Sequence, residues 1–267
     1  MDLGTGLTIL GSAIGGKDLL IKMLGPTADY IGDGIKLFTE KRLENIQSIL
    51  KNASLKIGDK INKPGTIHPK VLKFVLDEGS YSDDFLSIEY FGGVLASSRS
   101  GNSRDDRGVF FNALITRMSS YQLRFHYVLY HIIKSTFNGC EINWGISKER
   151  SKLKVFIPAS TFYTFMDFTE SEEAKASTIL DHIISGLLKE QLIGTDFATG
   201  SAELLKIYYS SAEETGLIIE PDRLGFELFY WVYGKGQDDS KDIFKEDLAF
   251  HLDKQITIDN KIRKVNI

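Results

Sequence analysis

The chain has 267 residues, 42% hydrophobic and 25% charged, a balance that allows one large or two small packed domains. Its 32 basic and 36 acidic residues leave a formal charge of −4, which argues against wholesale electrostatic capture of nucleic acid or anionic lipid. A single cysteine, Cys140, excludes an intrachain disulfide and a cysteine-based zinc site, so a cytoplasmic setting is expected.

Residues 1–24 form a Gly-rich arm in which Lys17, Asp18 and Lys22 interrupt the apolar run. No stretch reaches the roughly 18 to 20 apolar residues that a spanning helix needs, and no signal-peptide pattern is visible. The small residues from Gly4 to Gly16 permit close contact. The arm is therefore read as a docked or mobile terminus, or as an amphipathic segment that touches a membrane surface through residues 3–24 or self-associates. Gly11, Gly16 and Lys17 match the G-x-x-x-x-G-K spacing of a phosphate-binding loop, but Asp18 stands where a magnesium-binding hydroxyl belongs. Those three residues are the cofactor-binding candidates. No bound cofactor is expected.

Pro26 can open a long helix whose stripe Ile31, Ile35, Phe38, Ile46 and Ile49 ends near Lys51, before a polar connection over 54–65. Residues 69–78 read as a short helix with Val71, Leu72, Val75 and Leu76 on one side, stopped at Gly79. Ser82-Asp83-Asp84 then caps a helix so apolar, from Phe85 to Leu95, that burial on most sides is expected. Gly92-Gly93 inside it costs about 1 kcal/mol per glycine relative to Ala, so a neighbouring helix is expected to approach closely there. The run 97–108 reads as an exposed loop. Its Arg99, Arg104 and Arg107 are candidates for partner or nucleic-acid contact, opposed by Asp105 and Asp106.

Four blocks in this half carry a resemblance. They are Gly25-Pro26-x-Ala28-x-x-Ile31-Gly32, Lys41-Arg42-Leu43-Glu44-Asn45-Ile46, His68-Pro69-Lys70-Val71-Leu72 and Leu86-x-x-x-Tyr90-x-x-x-Val94-Leu95-Ala96. Their order resembles the bacterial abortive infection alpha family over roughly residues 20–235. The resemblance implies a role in phage defence.

Helices are expected over 109–118 and 120–137, the second capped at Ser119-Ser120. His126 and His131 lie five apart, the wrong spacing for a shared metal on one helix face, so they read as core histidines. Residues 140–146 and 152–157 read as strands of a β-hairpin. The aromatic patch Phe156, Phe162, Tyr163, Phe165 and Phe168 that follows fills a core or meets a partner. Next come a helix from Ser171 to a stop at Gly194, a helix over 201–215, a strand over 216–220 and a helix from Asp222 to Val232 stopped at Gly234. This is winged-helix grammar. Residues 237–267 read as a tail with one short docked helix.

The expected fold is mainly α with a minor β component, a helical bundle followed by a winged-helix-like unit with a β-hairpin. The divisions are 1–24 (arm), 25–108 (helical domain), 109–236 (winged-helix-like domain) and 237–267 (tail). No catalytic residue and no metal ligand can be named, since H-E-x-x-H, G-x-S-x-G and nuclease-like acid pairs are all missing. The expectation is a non-enzymatic antiviral defence protein working through protein, phage-component or membrane-surface contacts. Nucleic-acid binding by the winged-helix part, a nucleotide-binding enzyme using Gly11 to Lys17, and homo-oligomer formation stay open as alternatives.

Overall fold

The computed structural model describes residues 22–23, 40–82, 84–239, 243–250, 252 and 262–265. The arm, the loop Gly11 to Lys17 and the expected start of the long helix at Pro26 lie outside the described residues. The chain is mainly helical with a small antiparallel sheet. It folds as two compact units, residues 1–117 with 230–238, and residues 118–229 with 239–267. The sequence divisions were drawn at 108/109 and 236/237.

In the first unit, α1 (Glu40–Ile57) buries Ile46, Ile49, Leu50, Ala53 and Ile57. This stripe carries the helix beyond the expected end near Lys51, because Ala53 and Ile57 still fall on the packed face. Helix α2 (Pro69–Asp77) starts on Pro69, with His68 Nδ1 accepting from the Lys70 N–H, and buries the four residues expected of it. Helix α3 (Phe85–Ser97) is capped by Asp84, whose carboxylate accepts from the Ser87 N–H at 2.9 Å. Eleven of its thirteen residues are buried. Helix α4 (Gly108–Arg117) completes the set, and its Phe111 stacks on Trp231 at 4.4 Å.

The expected close approach at the paired glycines is present. A Cβ on Gly93 would sit 1.9 Å from the Val232 carbonyl oxygen, and one on Gly92 would sit 2.3 Å from the Asn52 side chain. Beside this contact the Lys56 ammonium donates to the carbonyls of Glu89 and Val232 at 2.8 Å each and pairs with the Glu89 carboxylate at 2.7 Å. Burial pushes the Lys56 pKa down, and Glu89 pulls it back.

In the second unit, α5 (Ser120–Thr136) begins with a capping box between Ser119 and Gln122. His126 and His131 are both buried in it, as expected. Tyr130 ties the unit together, its hydroxyl bonding the Leu192 carbonyl at 2.5 Å and accepting from the Asp222 N–H at 3.0 Å. After a short helix α6 (Ser147–Arg150) come β1 (Val155–Pro158), α7 (Ala159–Met166), α8 (Glu170–Glu173), α9 (Ala176–Lys189), β2 (Ile193–Gly200), α10 (Ala202–Leu205), β3 (Gly216–Pro221), α11 (Arg223–Val232), whose residues from Tyr230 on belong to the first unit, and β4 (Arg263–Lys264). The sheet order is β2-β3-β1-β4, antiparallel throughout, with Val155 opposite Ile219 and Ala198 opposite Ile218. The order α5, β1, α7, α9, β2, β3, with β1 beside β3 in an antiparallel sheet, is winged-helix-like.

Four local expectations need correction. Residues 140–146 are not a strand: Asn143 Oδ1 accepts from the Gly145 N–H in a turn, Trp144 is buried, and Arg150 holds the Trp144 carbonyl at 2.8 Å. The expected pairing with 152–157 is therefore absent, and β1 pairs with β3 and β4. The helix expected to run to Gly194 ends at Lys189, with Gln191 at φ 56 and the Leu192 N–H returning to the Leu187 carbonyl at 2.8 Å. Residues 201–215 are helical only over Ala202–Leu205 and then fold back in turns, which brings both Leu205 and Ala212 onto the sheet. In the tail the described residues 243–250 form turns and irregular chain, not a helix, and bury Ile243, Phe244 and Leu248, while Arg263–Lys264 forms β4.

Candidate functional site

Helix α9 occupies the place that reads the major groove in a nucleic-acid-binding winged helix. Asp167, at φ 52, ends α7. Thr169 then restarts the chain, its N–H donating to Glu172 at 2.8 Å and its hydroxyl donating at 2.7 Å. The Tyr121 hydroxyl also donates to Glu172 and, with Thr169, holds that carboxyl below the usual range. Ala176, Ile183, Ile184 and Leu187 turn α9 onto the core. Gly186 permits this, because a Cβ there would strike the Gln122 amide at 1.8 Å.

The opposite face of α9 presents Ser177, Thr178, Asp181, His182, Ser185 and Lys189. Reading of base edges needs Arg, Lys, Asn or Gln along such a face, with cations for the phosphates. Here the helix face carries one lysine, Lys189 at its end, and one carboxylate, Asp181. From Asp167 to Thr215, ten carboxylates face three lysines. This span is far more acidic than the chain as a whole.

The connection from β2 to β3 forms the wing. Leu205 and Ala212 are buried against Phe156, Ile218 and Val265, with Tyr209 partly buried beside them. The other side of the same turn faces water, with Leu204 57%, Ile207 74% and Tyr208 61% exposed, and Phe197 on β2 is 38% exposed. At the root of β2, Lys154 pairs with Asp196 and lies 4.0 Å from Glu220, whose pKa burial pushes up. The register shift between Ile193 and Phe197 falls at this place.

The arginine candidates are not presented as one set. Arg99 is turned inward and donates to five carbonyls, those of Lys22, Met23, Lys60, Ile61 and Lys63, at 2.6 to 3.3 Å. Arg107 pairs with Asp105 at 2.8 Å, reaches Gln237 and lies over the Trp231 ring. Asp105 is held at about 2, chiefly by Arg107. Arg104 is exposed. Of the aromatic patch, Phe156, Phe162 and Phe165 are buried, Phe168 is half-buried, and Tyr163 stays exposed.

A cavity of about 420 Å³ opens beside the last turn of α5, lined by Lys134, Asn138, Lys245, Glu246, Asp247 and Phe250 among others. Burial lowers the Lys134 pKa, while Asp247 and Glu246 raise it. Its charges are mixed, so it favours neither sign of ligand. Among the described residues no group of three His, Cys, Asp or Glu side chains is placed to hold a metal ion. Among them, too, no helix is long and apolar enough to cross a membrane.

No protein-family model, curated protein or solved structure matches the chain. The site therefore rests on its own geometry. The sequence places a full helix over 201–215 in the winged-helix part, whereas the outward helix of that part is α9 and 201–215 is helical only over Ala202–Leu205. Sequence reasoning missed β2 altogether, since Ile193-Gly-Thr-Asp-Phe-Ala-Thr-Gly200 offers two glycines and no run of β-branched residues. The available signal was the repeated Leu204, Ile207 and Tyr208 beside Leu205 and Tyr209, two apolar faces on one short turn.

Proposed function

We propose that this chain is an antiviral defence protein of the abortive infection kind that acts through contact with a protein, without catalysis. The observation that carries the contact reading is the charge of the winged-helix unit: the outward helix, β2 and the wing carry Asp181, Asp196, Glu203, Glu213 and Glu214 against Lys189 and Lys206, within a span from Asp167 to Thr215 that holds ten carboxylates and three lysines. Phosphate backbones are repelled by such a surface, because nucleic-acid affinity is built on cations that displace counterions. The defence reading is supported by the order of the Gly25, Lys41, His68 and Leu86 blocks. Fold alone does not assign a role, so the surface chemistry decides between the uses of this architecture.

The test is a plating assay in bacteria that express the full chain. Plaque numbers are expected to fall relative to an empty vector, and to fall equally for Lys17→Ala, which removes the lysine a nucleotide would need. Unchanged plating across a panel of unrelated phages would defeat the defence reading. A gel shift with duplex DNA at low salt is expected to be negative, and salt-sensitive retardation would favour the nucleic-acid alternative instead.

A further inference from the structure

We propose that the wing docks a basic protein segment that carries apolar side chains among its lysines or arginines. The proposal rests on the contact reading of the winged-helix unit and names the chemistry of its partner. The Ile207 N–H reaches the Leu204 carbonyl at 3.3 Å, and the Tyr208 and Tyr209 N–H groups reach Leu205 at 3.0 and 2.8 Å, so the helical turn continues past Leu205. Leu204, Ile207 and Tyr208 therefore share one side at i, i+3 and i+4 spacing. The inward side, Leu205 and Tyr209, is anchored on Phe156, Ile218 and Val265. The outward residues are thus presented by a packed element, and exposed apolar groups held in this way mark contact sites.

Charge selects the occupant. Glu203 and Glu213 are exposed on the same connection, where Lys206 is the single cation, while Asp196 on β2 is already paired with Lys154. A second copy of the chain, meeting in a two-fold contact, would set like acids face to face. Nucleic acid and anionic lipid are repelled by the same carboxylates. A cationic segment gains from them in rate and register, and its apolar side chains gain from Leu204, Ile207 and Tyr208.

The test uses the full chain and three labelled helical peptides: one of alternating lysine and leucine blocks, one with glutamate in place of every lysine, and one with serine in place of every leucine. Fluorescence anisotropy is expected to show salt-sensitive binding of the lysine–leucine peptide and much weaker binding of the other two. The triple variant Leu204→Ser, Ile207→Ser, Tyr208→Ser and the pair Glu203→Gln, Glu213→Gln are each expected to weaken it by roughly 10-fold or more, with an unchanged circular dichroism spectrum. Equal binding by wild type and triple variant would overturn the proposal, as would equal binding of the glutamate peptide. So would a dimer in sedimentation that the triple variant abolishes, since the occupant would then be a second copy. Plating separates the two claims. A chain that binds as expected but never reduces plaques loses its defence role and keeps this surface. One that protects with or without the triple substitution, and binds no peptide, keeps the role and loses the surface.

Discussion

Helix α3 and the wing segment 201–215 both carry clustered large apolar residues and meet opposite fates. In α3 eleven of thirteen residues are buried, and its glycines let a neighbouring backbone approach to a distance that no Cβ would tolerate. In the wing, Leu205 and Ala212 are buried while Leu204, Ile207 and Tyr208 stay in water. An apolar face in a sequence shows that contact is favourable. It does not say whether the chain itself supplies the other side.

The comparison breaks most forcefully at the polar brace of α3. Lys56→Met leaves the Glu89 carboxylate buried without its ammonium partner, and a loss of about 3–5 kcal/mol is expected in urea unfolding. The double variant Lys56→Met, Glu89→Leu should recover much of that loss, and failure to recover any would show that the backbone carbonyls matter more than the pair.

Gly93→Ala probes the apolar side of the same helix. The added methyl meets the Val232 carbonyl, so a destabilisation of about 1–3 kcal/mol is expected. Gly101→Ala, with open space around it, should leave the unfolding midpoint in place.

A pH-graded effect is expected from the unit that carries the wing. Burial pushes His126 down from 6.5 to about 3, against the bond to the Gly225 carbonyl that favours the charged ring. Between those values the unfolded chain binds a proton that the native chain does not. The stability from a neutral His126 is thus complete above about pH 6.5 and declines as pH falls toward 3. Urea midpoints at a series of pH values should show this slope, and His126→Gln should flatten it.

The smallest effect belongs to the wing. The triple serine variant at Leu204, Ile207 and Tyr208 should change stability by no more than about 0.5 kcal/mol, because exposed side chains add little to the folded state. A loss as large as that of Gly93→Ala would mean that these residues are covered in solution and that the contrast with α3 is false.

Much of the helical framework was legible because apolar spacing and capping residues are local signals. Pro69 after His68, Asp84 before Phe85 and Ser119 before Ser120 all begin helices where expected. The candidate site was harder to read. The strand β2 depends on β3 for its backbone bonds, and Asn143 turns the chain where Cys140 to Ile146 alternates like a strand. The arginines of the 97–108 loop read as exposed and opposed by Asp105 and Asp106, yet Arg99 is bound to carbonyls that lie 36 residues or more away in sequence.

By itself the sequence determined the starts of α2, α3 and α5, the buried character of α3, the burial of both histidines and the mainly helical class, since each follows from neighbours within one or two turns. Tertiary structure alone decided which strand pairs with which, where Arg99 points, and that α9 rather than 201–215 takes the outward helical position. Those outcomes depend on hydrogen bonds and close approaches between residues far apart in the chain, and no local pattern encodes them.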